Sequence, residues 1–281
     1  MTADKNTHTK TPNKKLSKQA KLEAKYRASI SARHALRKWY RTPLGQAVNE
    51  QETRALEAVL PKLFGYHILQ LSSHTENEYL SKSLIRHQII LDYDSLSSDV
   101  AINVSATAHQ IPIASDSTDV VLLPHTLDID MNPHLVLREA DRILVPEGRI
   151  VIQGFNPWSS WGCRRLLNLW KGASPYNLHF ISPSRLKDWL VLLGFEIESV
   201  HMTFFRPPLS HPFFMERLQV MDSLGAKFWP AFGASYLVVA KKQVSTLTPI
   251  KPRWFLRRRT RVTPGFLETR QRVSTKKISR E

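Results

Sequence analysis

Between residues 102 and 155 the apolar positions come in blocks rather than singly. Val120–Leu123 is a short, β-branched apolar run opened by Asp119 and closed by Pro124, the pattern of a strand buried on both faces. Asn132 and Pro133 then supply an N-cap and a first-turn proline, and Leu135, Leu137 and Ile143 carry the apolar spacing of a helix. Pro146-Glu147-Gly148 stops that helix, and Ile150, Val151 and Ile152 begin a second strand. A strand–helix–strand unit with short connections needs a parallel, right-handed crossover, so the pattern predicts half of a doubly wound sheet.

Upstream, Tyr66–Leu71 and His87–Asp94 read as further strands. Residues 16–40 read as a very basic helix with a thin stripe of Leu22, Tyr26, Ile30 and Leu36. A second helix is expected over about Pro43–Leu63, with Leu44, Val48, Leu56 and Leu60 facing the sheet edge.

The order Ile-Pro, a polar stretch, Asp-Val-Val, a Pro-His loop, Asn-Pro, Leu-Arg-Glu-Ala-Asp-Arg-Ile-Leu, Pro-Glu-Gly and Ile-Val-Ile runs without gaps from Ile111 to Gly154. It resembles the class I S-adenosylmethionine-dependent methyltransferases, closest to their type 11 domain. The segments 181–200 and 233–242 resemble that family's next helix and strand and its last, antiparallel strand, so the likeness covers roughly residues 60 to 242. It implies an α/β, Rossmann-like doubly wound sheet of seven mostly parallel strands. The expected organisation is a disordered basic tail (1–15), a helical extension (16–63), the methyltransferase-like domain (64–242) and a second basic disordered tail (243–281).

The resemblance also implies a cofactor site for S-adenosylmethionine. The family's first strand ends in an acid and a glycine-rich turn that brings backbone N–H groups close to the cofactor. Here Gln70 stands in the acid's place, Leu71 follows, and Ser72, His74 and Glu76 replace the glycines. Asp92, after the second strand, is the expected partner of the ribose hydroxyls, with Asp94 the other candidate and a turn-capping role the plainer reading. Thr107 replaces the acid expected near adenine, leaving Ala108 to meet the ring edge and His109 either to stack there or to be a surface loop residue. Pro124 and His125 lie on the loop after the fourth strand, which faces the ligand crevice. His125 is the candidate general base near the transferred methyl, or else a hydrogen-bonded structural histidine.

A loop Phe155-Asn156-Pro157-Trp158-Ser159 follows the fifth strand, with Trp161 close behind. Trp158 and Trp161 are candidates for substrate contact, for simple packing, or for an interfacial patch.

The net charge of +16 sits at the ends: residues 1–27 carry +6 and 241–281 carry +11, which leaves −1 for 28–240. Basic ends with Trp254, Phe255 and four neighbouring arginines suit nucleic acid or solvation, and say little about the central domain. One cysteine, Cys163, excludes an internal disulfide and suggests a cytoplasmic setting; no apolar run is long enough to span a membrane. Dinucleotide and phosphate-loop glycine patterns, zinc-ligand spacing and the hydrolase serine elbow are all absent from the sequence.

Two readings follow. One is a methyltransferase with an unidentified acceptor. The other is a methyltransferase fold without turnover that acts on RNA or a protein partner through its basic ends.

Overall fold

The computed structural model describes residues 27–71, 79–92, 104–166, 175, 177–208 and 217–243. Seven strands form one sheet: β1 (His67–Leu71), β2 (His87–Asp92), β3 (Val104–Ser105), β4 (Thr118–Pro124), β5 (Leu144–Phe155), β6 (Phe195–Thr203) and β7 (Ser235–Lys242). Their order is β3-β2-β1-β4-β5-β7-β6, and only β7 runs antiparallel to its neighbours. The chain therefore winds outward in one direction through β2 and β3 and in the other through β4. That puts the topological switch point between β1 and β4, where ligand crevices form.

Strands alternate their side chains between the two faces of the sheet. On one face Leu69, Leu71, Val121, Leu123, Ile150 and Ile152 pack with α4 (Pro133–Ile143) and α6 (Pro183–Leu192). On the other, Ile68, Val120, Leu122 and Val151 meet α2 (Pro43–Val59) through Leu56 and Val59. Each such aliphatic side chain contributes about 1.5–3 kcal/mol through burial, so the doubly covered centre dominates the fold's stability.

The remaining helices are α1 (27–40), the four-residue α3 (Thr126–Ile129), α5 (Ser160–Leu166) and α7 (Gln219–Phe228).

The elements depart from the sequence pattern in four places. α2 ends at Val59 and continues as a 3-10 turn, Leu60–Lys62, because Pro61 has no N–H for the next helical bond. β5 starts at Leu144 rather than after the Pro-Glu-Gly turn: Thr118 pairs with Leu144 and Val120 with Arg149, so the turn is absorbed as a bulge. Glu147 takes a left-handed φ of 67° there. On α4 the buried face is Val136, Leu137, Ala140 and Ile143, and Leu135 is exposed. On α1 the buried positions are Ser29, Arg33, Leu36 and Tyr40, so the buried face carries an arginine; Leu22 and Tyr26 lie outside the described residues.

Two residues of the Leu-Arg-Glu-Ala-Asp-Arg segment shape the approach to β4. Arg142 donates to the carbonyls of Ile111 and Ile113, both at 3.0 Å, and pairs with Glu139 at 2.9 Å. This fixes the Ile-Pro loop against α4.

Candidate functional site

β4 ends at Pro124, and the chain turns into α3 through His125, whose φ is 51°. The turn drives the imidazole inward. His125 is fully buried, with its Nδ1 2.9 Å from Asp128 Oδ2 and its Nε2 3.1 Å from Glu52 Oε1. Glu52 Oε2 accepts from the Tyr40 hydroxyl at 2.9 Å, and Asp128 Oδ2 also accepts from the Phe155 N–H at 2.9 Å. The His125 ring lies against Phe155, centroid to centroid 4.2 Å.

Burial alone would push the His125 pKa down. The Glu52 charge and the hydrogen bonds to Asp128 and Glu52 outweigh it and hold the pKa at about 9. At neutral pH His125 is therefore an imidazolium, lodged between the side chains of Glu52 and Asp128. Burial pushes Asp128 up, against the pull of His125, and pushes the Tyr40 hydroxyl far above its ordinary range.

Asp92 ends β2 next to β1, through the pairing of Leu91 with Leu71. Its side chain has no exposed surface. Arg33 of α1 pairs with one carboxylate oxygen, and Arg37 with the other at 2.7 Å. The carboxylate expected to meet a ribose is thus held by two guanidiniums from the N-terminal helix.

The remaining expected site residues divide. Gln70 is buried at the end of β1, and its Oε1 has no hydrogen-bond partner among the described residues. The Leu71 carbonyl accepts from Thr126 Oγ1 at 2.8 Å, which ties the end of β1 to the residue after His125. Ala108 is buried. His109 is half-buried, its Nε2 2.9 Å from Asp130 Oδ2, so that nitrogen is already engaged. Adjacent strands β2, β1 and β4 therefore bring Asp92, Gln70, Leu71, Pro124 and His125 to one end of the sheet. Ser72 and both basic ends, 1–26 and 244–281, lie outside the described residues.

The two tryptophans do not act as a pair. Trp158 is 69% exposed, while Trp161 is fully enclosed, packed edge-on against Trp39 and Phe204 and donating to the Arg206 carbonyl at 3.0 Å. Asn156 secures the loop: its Nδ2 donates to the carbonyls of Ala231 and Gly233, and its Oδ1 accepts from the Trp158 N–H. Gly162 makes the tight entry into α5 possible, since a Cβ there would lie 1.8 Å from the Pro157 carbonyl oxygen.

A cavity of about 270 Å³ opens between α1 (Ala28, Ser31, Ala32), the α3 region (Asp128, Ile129, Met131) and residues 177–179. Asp128 Oδ1, the oxygen that His125 does not use, is buried with no hydrogen-bond partner among the described residues.

The central residues missed from sequence are Glu52, Asp128, Tyr40, Arg33 and Arg37. Glu52 and Arg33 did leave a signal: each interrupts the buried face of its helix, Glu52 between Val48 and Leu56 and Arg33 between Ser29 and Leu36. A charge in such a position needs a buried partner.

The described residues fit the implied cofactor on one observation, the orphaned Gln70 Oε1 buried near the end of β1. No helix among the described residues is long and apolar enough to cross a membrane, and no group of three or more His, Cys, Asp or Glu side chains among them is placed to hold a metal ion.

Residues 63–152 match the family model described as a methyltransferase domain. The chain is 32% identical over 215 residues to the uncharacterized protein YafS of Escherichia coli K12, covering 76% of this chain and 84% of that one. Among solved structures it is similar to a Thermotoga maritima S-adenosylmethionine-dependent methyltransferase described as a possible histamine N-methyltransferase. The TM-score is 0.55 at 19% identity, over 73% of this chain and 94% of that one. It is also similar to the putative methyltransferase complexed with the Trm112 activator of Haloferax volcanii, with a TM-score of 0.50 at 14% identity, over 72% and 93%. At these identities the structures speak for the fold alone.

Proposed function

Because this chain belongs to the class I S-adenosylmethionine-dependent methyltransferases, we propose that it transfers a methyl group to a small acceptor seated beside Asp128. The observation that carries this reading is the Glu52–His125–Asp128 chain at the carboxyl end of β4, with Asp128 Oδ1 left over in a residue that lines the cavity. A volume near 270 Å³ is at or below the low end of drug-sized pockets, which suits a small acceptor.

S-adenosylmethionine, when bound, supplies an electrophilic methyl group on a sulfonium. Asp92 would hold the ribose hydroxyls. Gln70 and Leu71, with Ser72 beyond them, would border the methionine end, Ala108 and His109 would flank adenine, and Pro124 would close the crevice. His125 serves as a positioning residue: with both nitrogens engaged and its proton held, it fixes Asp128 Oδ2 and leaves Oδ1 to orient an N–H or O–H on the acceptor. Orientation of this kind supplies much of the rate in transfers from an already activated donor. Trp158, exposed at the same end of β5, remains available to a substrate, whereas Trp161 serves packing.

The test is incubation of the full chain with methyl-labelled S-adenosylmethionine and a panel of small amines and phenols. Labelled product that Asp128→Asn reduces supports the reading. No product across the panel, or equal product from the variant, overturns it.

A further inference from the structure

α7 meets the body of the domain through Asp222 and Gly225. Asp222 Oδ1 accepts from the Phe205 N–H at 2.9 Å, and its Oδ2 accepts from Arg206 Nε at 2.6 Å. Gly225 is buried so closely that a Cβ there would lie 2.5 Å from the Phe205 side chain. These contacts fix the helix about its own axis, and they leave Met221, Leu224 and Phe228 exposed. The spacing i, i+3, i+7 puts those three side chains in one stripe. A surface helix ordinarily buries such a stripe; α7 turns it to water.

The apolar surface continues beyond the helix. Trp229 lies beside Phe228 with ring centroids 6.1 Å apart, and its carbonyl accepts from the Phe232 N–H at 3.0 Å in the 3-10 turn Pro230–Phe232. Phe228 and Trp229 are each 60% exposed, and Phe232 is 56% exposed. Asn156 donates to the carbonyls on both sides of Phe232, which ties the loop bearing the exposed Trp158 to this turn.

Exposed apolar surface of this extent marks contact with a partner or a membrane, and charge selects between them. Residues 217–233 carry Arg217 and Lys227 against Asp222, whose carboxylate is already held inward by Arg206. Lys227 Nζ sits 5.9 Å from the centroid of the Phe228 ring. Aromatic rings interleaved with cationic tips suit the headgroup layer of a bilayer, where one end of each side chain is apolar and the other wet. The chain as a whole carries +16, so a second copy would bring like charge to this face, whereas anionic lipid brings the opposite charge. We propose that α7, the turn that follows it and Trp158 form an interfacial docking surface for an anionic lipid bilayer, with the basic ends of the chain adding electrostatic attraction. The stripe would lie in the plane of the interface, its rings at the boundary between headgroups and acyl chains and Lys227 among the phosphates. The surface is separate from the Asp128 cavity, so the proposal stands apart from the choice of methyl acceptor.

Sedimentation of the full chain with vesicles tests it, using phosphatidylcholine alone and phosphatidylcholine mixed with phosphatidylglycerol. The native chain should bind the mixed vesicles and do so less well as salt is raised. Phe228→Ser/Trp229→Ser should lower the partition coefficient about tenfold or more, since both rings leave water on docking. Both side chains are exposed, so the variant should melt with the native chain. A second measurement needs no variant: lipids brominated on their acyl chains should quench the native tryptophan fluorescence. Equal binding by the double variant would show that the basic ends alone attach the chain, and would overturn the proposal. So would absence of binding to the mixed vesicles, binding without quenching, or a lipid-free dimer that the double variant turns into a monomer.

Discussion

Glu52 Oε1 lies 3.1 Å from His125 Nε2, which ties the middle of α2 to the residue that follows β4. Neither side chain has appreciable exposed surface, and the residues are 73 positions apart in the chain. With Asp128 on the other nitrogen, the contact outweighs burial and raises the His125 pKa.

That protonation state makes stability depend on pH. Burial opposes the charge on His125, yet Glu52 and Asp128 raise its pKa from 6.5 to about 9. A folded pKa above the unfolded one gives a contribution fully present below about pH 6.5 and lost as pH rises through about 9. The loss across that window is on the order of 3 kcal/mol. Imidazole nitrogen NMR should place the His125 midpoint near 9; a midpoint at or below the ordinary value of 6.5 would contradict the imidazolium assignment.

Removing one partner of the cluster should be expensive. Glu52→Gln leaves His125 facing a neutral amide in a buried site, and breaking a buried pair in this way costs about 3–5 kcal/mol. Urea denaturation measures it, and the same variant should lower the His125 midpoint. A loss under about 1 kcal/mol, the scale of an exposed pair, would show that the contact is solvated.

The two tryptophans should respond in opposite ways. Trp161→Ala empties the aromatic cluster around Trp39, Phe155 and Phe204 and should cost about 3–5 kcal/mol. Trp158→Ala removes an exposed ring and should stay within about 0.5 kcal/mol of the native chain. Denaturation of both variants side by side separates loop packing from any part Trp158 has in binding.

Gly162→Ala should destabilise the start of α5 by about 1–3 kcal/mol, because the added methyl collides with backbone rather than with a yielding side chain. A melting temperature equal to that of the native chain would mean that the Pro157–Gly162 approach is looser than the geometry shows.

Much of the sheet was legible because its strands are written in blocks. Val120 to Leu123 and Ile150 to Ile152 are apolar on both faces, as central parallel strands must be, and the Asn-Pro start of α4 punctuates the crossover between them. The position of His125 directly after a central strand followed from the same pattern, but its ring turns inward and is fully buried instead of lining a crevice. Its partners did not follow. Glu52 and Arg33 are charged residues on helices, and local patterning assigns charge to the solvent side. Only the fold brings Glu52 to His125 and Arg33 to Asp92, across 73 and 59 positions. The bulge at Pro146–Gly148 was hidden for a related reason: it is defined by pairing with β4, and a turn signal looks the same in a loop and in a strand.

The measurement that tests the central claim most directly is calorimetric titration of S-adenosylmethionine into the full chain. The account predicts saturable one-to-one binding. Absence of binding up to about 1 mM ligand, equivalent to less than about 4 kcal/mol of binding free energy, would contradict it.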